Sequence, residues 1–414
     1  MRRALFGTAA ALALTGLPVT EAVSQTLEEQ QDYFLNDACR NMGFAKTGNR
    51  VSAADAAEPL RSLCTFCPQL PNAPAPVGCD GGPPAVTATS GFSSGAAGNA
   101  DDTAARRRKA ALGSKHDSTA TGESTLFSGN RYSIFLNLNY VRSRQQGTTF
   151  EGGQKARAFG AMLGMDRRIG TSGVVGVATQ LESQSGDYDS GGGFDKRTFG
   201  ALLYGSWLAG PDLFLDMSAG VRLRSVDARR RVSQQVGVQI TPATVTSDGE
   251  QREFQSALRS GYDLVFGGTS LGPRLAVEYG NVRTSSTVES GATVLALAFD
   301  GDTEKSLRSL AGLQASHVFT PAAGVFVLQL NLDWVHEYQD DQRLLSARFA
   351  QDLRAAPSRL RYLDAPPDRN AFVGRASLAI TLPHGLAAFA GVDALFSYSY
   401  RRHHGAVLGV RKEL

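Results

Sequence analysis

The sequence predicts an all-β molecule: a twelve-stranded antiparallel transmembrane β-barrel over residues 131–414, preceded by a short helical, disulfide-stapled segment and a linker with a plug helix. Two observations carry the barrel. Segments of about ten residues alternate apolar with polar or small side chains, the period-two pattern of a strand with unlike faces. The connections between them alternate short and long, as when tight periplasmic turns oppose longer outer loops. A third observation removes the helical alternative. Past the first residues, no run approaches the ~20 consecutive apolar residues that a membrane-spanning helix needs.

In chain order, residues 1–24 read as a secretory signal peptide. Arg2 and Arg3 precede a small-residue apolar core over residues 4–17, and small residues near 22–24 suit a signal peptidase. Residues 25–82 carry helical spacing at Leu27, Gln30, Gln31 and Phe34 and hold all four cysteines, Cys39, Cys64, Cys67 and Cys79. Residues 83–130 are rich in Gly, Ser, Ala and Thr, a linker composition, with a helix-forming run at 104–112.

From residue 131 the pattern changes. Ile134, Leu136, Leu138 and Tyr140 share one strand face, with Asn137 and Asn139 on the other; Phe326, Leu328, Leu330, Leu332 and Trp334 oppose Gln329, Asn331 and Asp333. Strands are predicted to start near Arg131, Arg157, Gly173, Lys196, Asp212, Gln251, Leu271, Glu304, Gly324, Asn370, Gly385 and His403. Short connections fall at 170–173, 209–211, 267–273, 320–324 and 383–385, and longer polar ones near 144–156, 183–195, 227–250, 285–302 and 339–369. Tyr140, Trp207, Phe266, Trp334, Tyr338, Tyr398 and Tyr400 are placed to form interfacial girdles. In hydrocarbon every backbone N–H and C=O must find an internal partner, and a closed sheet is the arrangement of strands that provides it. Polar side chains then line the lumen.

Residues 131–414 resemble the autotransporter β-domain of type V secretion. The resemblance rests on Phe159 to Asp166 (FGAMLGMD), Gly192-Gly193-Phe194-Asp195 leading to Leu203-Tyr204-Gly205, Gly261-Tyr262-Asp263, Gly272-Pro273-Arg274, Trp334 to Tyr338 (WVHEY) with Ala347-Arg348-Phe349, and the tail Leu382 to Gly385 and Gly409 to Arg411. It implies twelve strands, a helix running through the pore ahead of the first strand, and partners in the β-barrel assembly machinery, periplasmic chaperones and outer-membrane lipid, with the barrel a monomer. The run 104–112 sits where such a helix would begin. Arg106, Arg107, Arg108 and Lys109 are then expected to face luminal acids such as Asp166, Asp216, Glu278 and Asp333, a solvated basic linker being the other reading. Two features depart from the family. The tail ends Arg411-Lys412-Glu413-Leu414 rather than on an aromatic residue, and about a hundred residues separate signal from barrel, without β-helix repeats.

Little here suggests covalent chemistry. Cys64 and Cys67 form a CxxC, open to a redox or zinc role. Export through an oxidising compartment favours two structural disulfides, with three pairings possible. His336 and Glu337 are strand neighbours and so point to opposite faces. No GxSxG elbow occurs, and Gly191-Gly192-Gly193 lacks the Lys-Ser/Thr of a phosphate loop. No catalytic residue, metal site or cofactor is therefore expected. A net charge of +3 gives no reason to expect nucleic-acid binding. The sequence predicts a non-enzymatic outer-membrane translocator or anchor that exports or displays its short N-terminal segment. The alternatives are a pore for small solutes and an adhesin acting through outer loops.

Overall fold

The computed structural model describes residues 132–413 apart from short gaps at 149–151, 171, 211, 237–238, 294, 322–323, 353–354, 358 and 383–385. The signal peptide, the helical cysteine segment with its four cysteines, the linker, the run 104–112 and the C-terminal Leu414 lie outside the described residues.

Among the described residues, seventeen strands follow in order: β1 (Tyr132–Gln145), β2 (Gln154–Ile169), β3 (Gly173–Tyr188), β4 (Gly192–Leu208), β5 (Leu213–Val236), β6 (Gln239–Tyr262), β7 (Leu264–Phe266), β8 (Thr269–Thr284), β9 (Thr287–Val288), β10 (Leu297–Phe299), β11 (Asp302–Phe319), β12 (Val325–Glu337), β13 (Leu344–Phe349), β14 (Leu360–Leu363), β15 (Asn370–Leu382), β16 (Leu386–Phe396) and β17 (Arg401–Glu413). Twelve of them are staves of one antiparallel barrel, in the order β1-β2-β3-β4-β5-β6-β8-β11-β12-β15-β16-β17, and β7 continues β6 beyond a break at Asp263. The sheet has no edge, because β17 returns to pair with β1 from Ser133↔Glu413 to Gln145↔Arg401. Closure of this kind satisfies the backbone without water.

The period-two sequence pattern becomes the two sides of the wall. In β1, exposed Tyr132, Ile134, Leu136, Leu138 and Tyr140 alternate with buried Ser133, Phe135, Asn137 and Asn139. Leu163, Leu181, Leu203, Val221, Leu275, Leu313, Leu332 and Leu408 continue the outward apolar face around the circumference. Tyr132 to Tyr140 spans nine positions, about the length a tilted strand needs to cross the hydrocarbon. Tyr140, Trp207, Phe266, Trp334 and Tyr338 are exposed at the belt, as expected. Tyr398 and Tyr400 are not. They turn inward at the outer mouth, where the Tyr400 hydroxyl donates to Pro366 O (2.7 Å) and the Asp368 N–H donates to Tyr398 Oη (3.1 Å).

The longest departure from the predicted elements is at 227–250, read from sequence as a loop. It is the outer half of a hairpin: β5 and β6 pair from Leu213↔Tyr262 to Val236↔Gln239, so β6 starts twelve residues ahead of the predicted Gln251. Its many polar residues hid it, although Val232 and Val245 turn to a buried face. Likewise 183–195 is mostly ladder, turned at Gly191 and Gly192, whose φ values of 92° and 94° suit glycine. The predicted loops 285–302 and 339–369 donate β9, β10, β13 and β14 to a four-stranded outer sheet, tied to the arm through Thr246↔Ser290.

The lumen is not uniformly polar. On the inner wall of β1–β4, Phe135, Met162, Ala178, Leu202 and Tyr204 form a buried apolar cluster, with the Phe135 and Tyr204 rings edge to face at 6.1 Å. Each ring covers a glycine of a neighbouring strand, Phe135 over Gly164 and Tyr204 over Gly176. A methyl at Gly164 would meet the Phe135 ring. Gly164→Ala is therefore expected to cost about 1–3 kcal/mol, read as a lower urea midpoint for the barrel folded in detergent. An unchanged midpoint would show that the ring has room to move.

Candidate functional site

The site is the lumen with the cap over its outer mouth. Inward positions of alternate staves place acids and guanidiniums within reach across two or three strands. Asp333 on β12 is fully buried and takes Arg274 Nε of β8 (2.8 Å) and Arg375 Nη1 of β15 (3.1 Å). Gly312 on β11 makes the space for this carboxylate, since a Cβ there would overlap it. Glu278 on β8 holds Arg259 of β6 (2.6 Å) and Arg308 of β11 (3.3 Å). Glu253 on β6 binds both Arg222 and Arg224 of β5. Asp166 on β2 accepts from Ser133 Oγ of β1 (2.7 Å), Tyr204 Oη of β4 (3.0 Å) and Arg411 of β17, and Arg411 Nη2 also reaches Ser133 Oγ (2.6 Å). Asp216 accepts from Ser206, and Asp263 from Gln314.

The four expected luminal acids, Asp166, Asp216, Glu278 and Asp333, thus all lie on the inner wall, and each is engaged by other residues of that wall. Their expected basic partners Arg106, Arg107, Arg108 and Lys109 lie outside the described residues. The wall arginines were not singled out by sequence reasoning. Alternation marks each as inward, but which acid it meets depends on pairing across distant strands.

His336 and Glu337 do part. His336 packs outward between Trp334 and Tyr338 and contacts Asn370 Oδ1 (3.0 Å); Glu337 faces inward and accepts from Ser306 Oγ (2.6 Å) and Leu307 N (2.9 Å). His403 turns inward to Asp393 (3.1 Å), while His404 is exposed on the outer wall. Among the described residues, no three His, Cys, Asp or Glu side chains are grouped to hold a metal ion.

Above the mouth, the arm buries Val232 and Val245, and the outer sheet buries Ala347, Phe349, Leu360 and Tyr362. A buried arginine ties the outer sheet to the arm, and a half-buried one ties it to the barrel rim. Arg230 on the arm donates to both Glu289 oxygens (Nε 3.0 Å, Nη2 2.6 Å) and to Leu295 O (3.2 Å). Arg343 binds Asp302 (2.6 Å) at the barrel rim and Asp364 (2.6 Å) in the cap. Between them lies a cavity of about 160 Å³ bordered by Tyr188, Glu304 and Tyr362.

Burial pushes the Asp364 carboxyl above its ordinary 3.8, outweighing the Arg343 guanidinium that pulls it down, while neighbouring carboxylates raise Arg343 against burial. A raised carboxyl binds its proton more readily folded than unfolded, so its contribution favours the folded cap at low pH and declines as pH rises through the folded value. Asp364→Asn is therefore expected to protect the cap from protease at neutral pH at least as well as the native residue. The difference should vanish below the ordinary aspartate range of about 4. A variant cap cut more readily than the native cap at neutral pH would reverse that sign.

A family description, "Autotransporter beta-domain", matches residues 134–393. Among solved structures, the translocator domain of autotransporter NalP from Neisseria meningitidis aligns at TM-score 0.52 and 14% identity, covering 76% of this chain and 95% of that one. The β domain of the Bordetella autotransporter BrkA aligns at 0.48 and 13%, covering 69% and 100%. The transport unit of AIDA-I from Escherichia coli aligns at 0.43 and 12%, covering 73% and 97%. No curated protein sequence matches. At such identities the NalP alignment establishes shared architecture, while the family match spans more than half of the residues. Together they make this an outer-membrane translocator barrel, and the chain belongs to the autotransporter β-domain family.

Proposed function

We propose that the barrel passes its own N-terminal segment through the lumen and displays it at the cell surface, without making or breaking a covalent bond. The observation that carries this reading is where β1 begins. Tyr132 lies opposite Arg167, beside the short turn at 170–172, and at the same end as Glu413. Short turns mark the periplasmic rim. The residues between the signal peptide and β1 would therefore enter at the periplasmic mouth of a seamless wall, with the lumen as the direct route outward. Assembly machinery and periplasmic chaperones would insert the barrel; outer-membrane lipid would surround it, and it would act as a monomer.

An epitope placed near Asn49 should be reached by antibody on intact cells. Deleting residues 25–130 should raise single-channel conductance severalfold. An epitope reached only after permeabilisation would defeat the display reading, and conductance indifferent to the deletion would favour the small-solute pore. The packed outer sheet supports one second reading, an adhesin acting through the cap. It predicts cell binding that survives loss of the N-terminal segment.

A further inference from the structure

Exposed arginines occur on many staves toward the outer rim, Arg197, Arg252 and Arg283 among them. Arg229, Arg359 and Arg369 each have a carboxylate partner, Asp195, Asp300 and Asp340 respectively. A second group gathers on the outward face of β17, β1 and β2 in two adjacent rungs. Arg402, Arg144 and Lys155 are register partners in the upper rung, and His404, Arg142 and Arg157 in the lower. All six are exposed, and among the described residues none has an ion pair. Asp187 on β3, opposite Lys155, bounds the patch on one side.

Strand spacing of ~4.8 Å and a two-residue repeat of ~6.8 Å set these side chains over roughly 10 by 7 Å. Gathering five permanent cations and a histidine beside the single carboxylate of Asp187, with no ion pair formed, costs repulsion that isolated solvated residues would avoid. One rung further toward the membrane, Tyr140, Phe159 and Ala406 open the apolar belt. The patch therefore sits at headgroup height on the outer leaflet.

A second feature begins at the corner of this patch. An apolar groove of about 640 Å³ runs over the outer wall from His404 to Leu271. Its course follows the register across Ala394, Gly374, Leu332 and Leu313 on successive strands. The small residues form the floor and the exposed leucines and Phe396 the banks. Gly374 is required to be small, because a Cβ would come within 2.9 Å of the Phe396 ring. Because staves tilt, the groove descends from headgroup height into the hydrocarbon.

We propose that this face binds a phosphorylated, multiply acylated glycolipid of the outer leaflet, its phosphates on the six basic side chains and one acyl chain in the groove. Charge complementarity selects the headgroup and the groove selects a lipid over a free anion. Cations near an anionic membrane surface are each worth about fivefold in affinity, so removing four should be felt strongly.

The test uses the full chain folded in detergent and a bis-phosphorylated, acylated glucosamine disaccharide as probe, compared with its dephosphorylated form. The native protein should bind the phosphorylated form at least about tenfold more tightly. The variant R142Q/R144Q/R157Q/R402Q should lose about a hundredfold or more, and Ala394→Leu, which fills the groove, several-fold. R229Q should match the native protein. Heat-dependent gel mobility verifies that each variant is folded; should the quadruple variant fail, R142Q alone and the salt dependence of the native protein give the same reading. Equal binding of the two lipid forms, unchanged affinity in the arginine variants, or displacement by millimolar inorganic phosphate would each overturn the proposal.

Discussion

Replacing Asp333 by alanine is expected to remove about 3–5 kcal/mol from the barrel's unfolding free energy, because it withdraws a buried carboxylate shared by two guanidiniums. The residue is wholly inaccessible and ties β8, β12 and β15 through Arg274 and Arg375, with β11 thinned at Gly312 to admit it. Urea titration followed by tryptophan fluorescence is a direct measure, since Trp334 is the next residue and Trp207 the only other tryptophan. The loss comes from stranding positive charge rather than from deleting a strongly favourable contact. The triple replacement Arg274→Met, Asp333→Leu and Arg375→Met should therefore recover most of it. A single alanine variant within about 1 kcal/mol of native would place the triad among exposed pairs of little worth.

Glu289→Ala is expected to release the outer sheet while leaving the membrane part intact. Both oxygens of Glu289 hold Arg230, and one also accepts from Leu297 N (2.8 Å), so a single carboxylate fixes segment 285–301 to the arm. Losing a buried pair of this geometry costs about 3 kcal/mol. Where cleavage follows the population of the open form, that corresponds to roughly a hundredfold faster proteolysis of the cap on intact cells. Heat-dependent gel mobility of the barrel should not change. Equal cutting of native and variant caps would mean that Val245, Ala347 and their neighbours hold the sheet without this bond.

The staves were legible because lipid imposes a rule on every second residue. Gly173 and Asn370 begin strands where the pattern predicts, and most other predicted starts fall within four residues. Where the solvent changes, the rule stops. The arm over 227–250 has water on one side and protein on the other, so its polar alternation resembles a loop. Tyr398 and Tyr400 have belt-like character but are claimed by the backbone of 365–368, a contact no local pattern encodes. Inside, Asn137 and Asp333 follow the inward rule, whereas Phe135 and Tyr204 depend on the glycines at 164 and 176 of neighbouring strands. The inward position of each luminal acid could be read from sequence. Its partner could not, since Asp166 meets Arg411 from 245 residues away.

That last contact bears on how the molecule is made. Arg411 belongs to the final stave and grips Ser133 on the first and Asp166 on the second, so the clasp spans the join where the ring was last open. A ribosome delivers this clasp only after the eleven other staves. Until then the cylinder is a curled ribbon with two raw margins, and whatever escorts it must shield both.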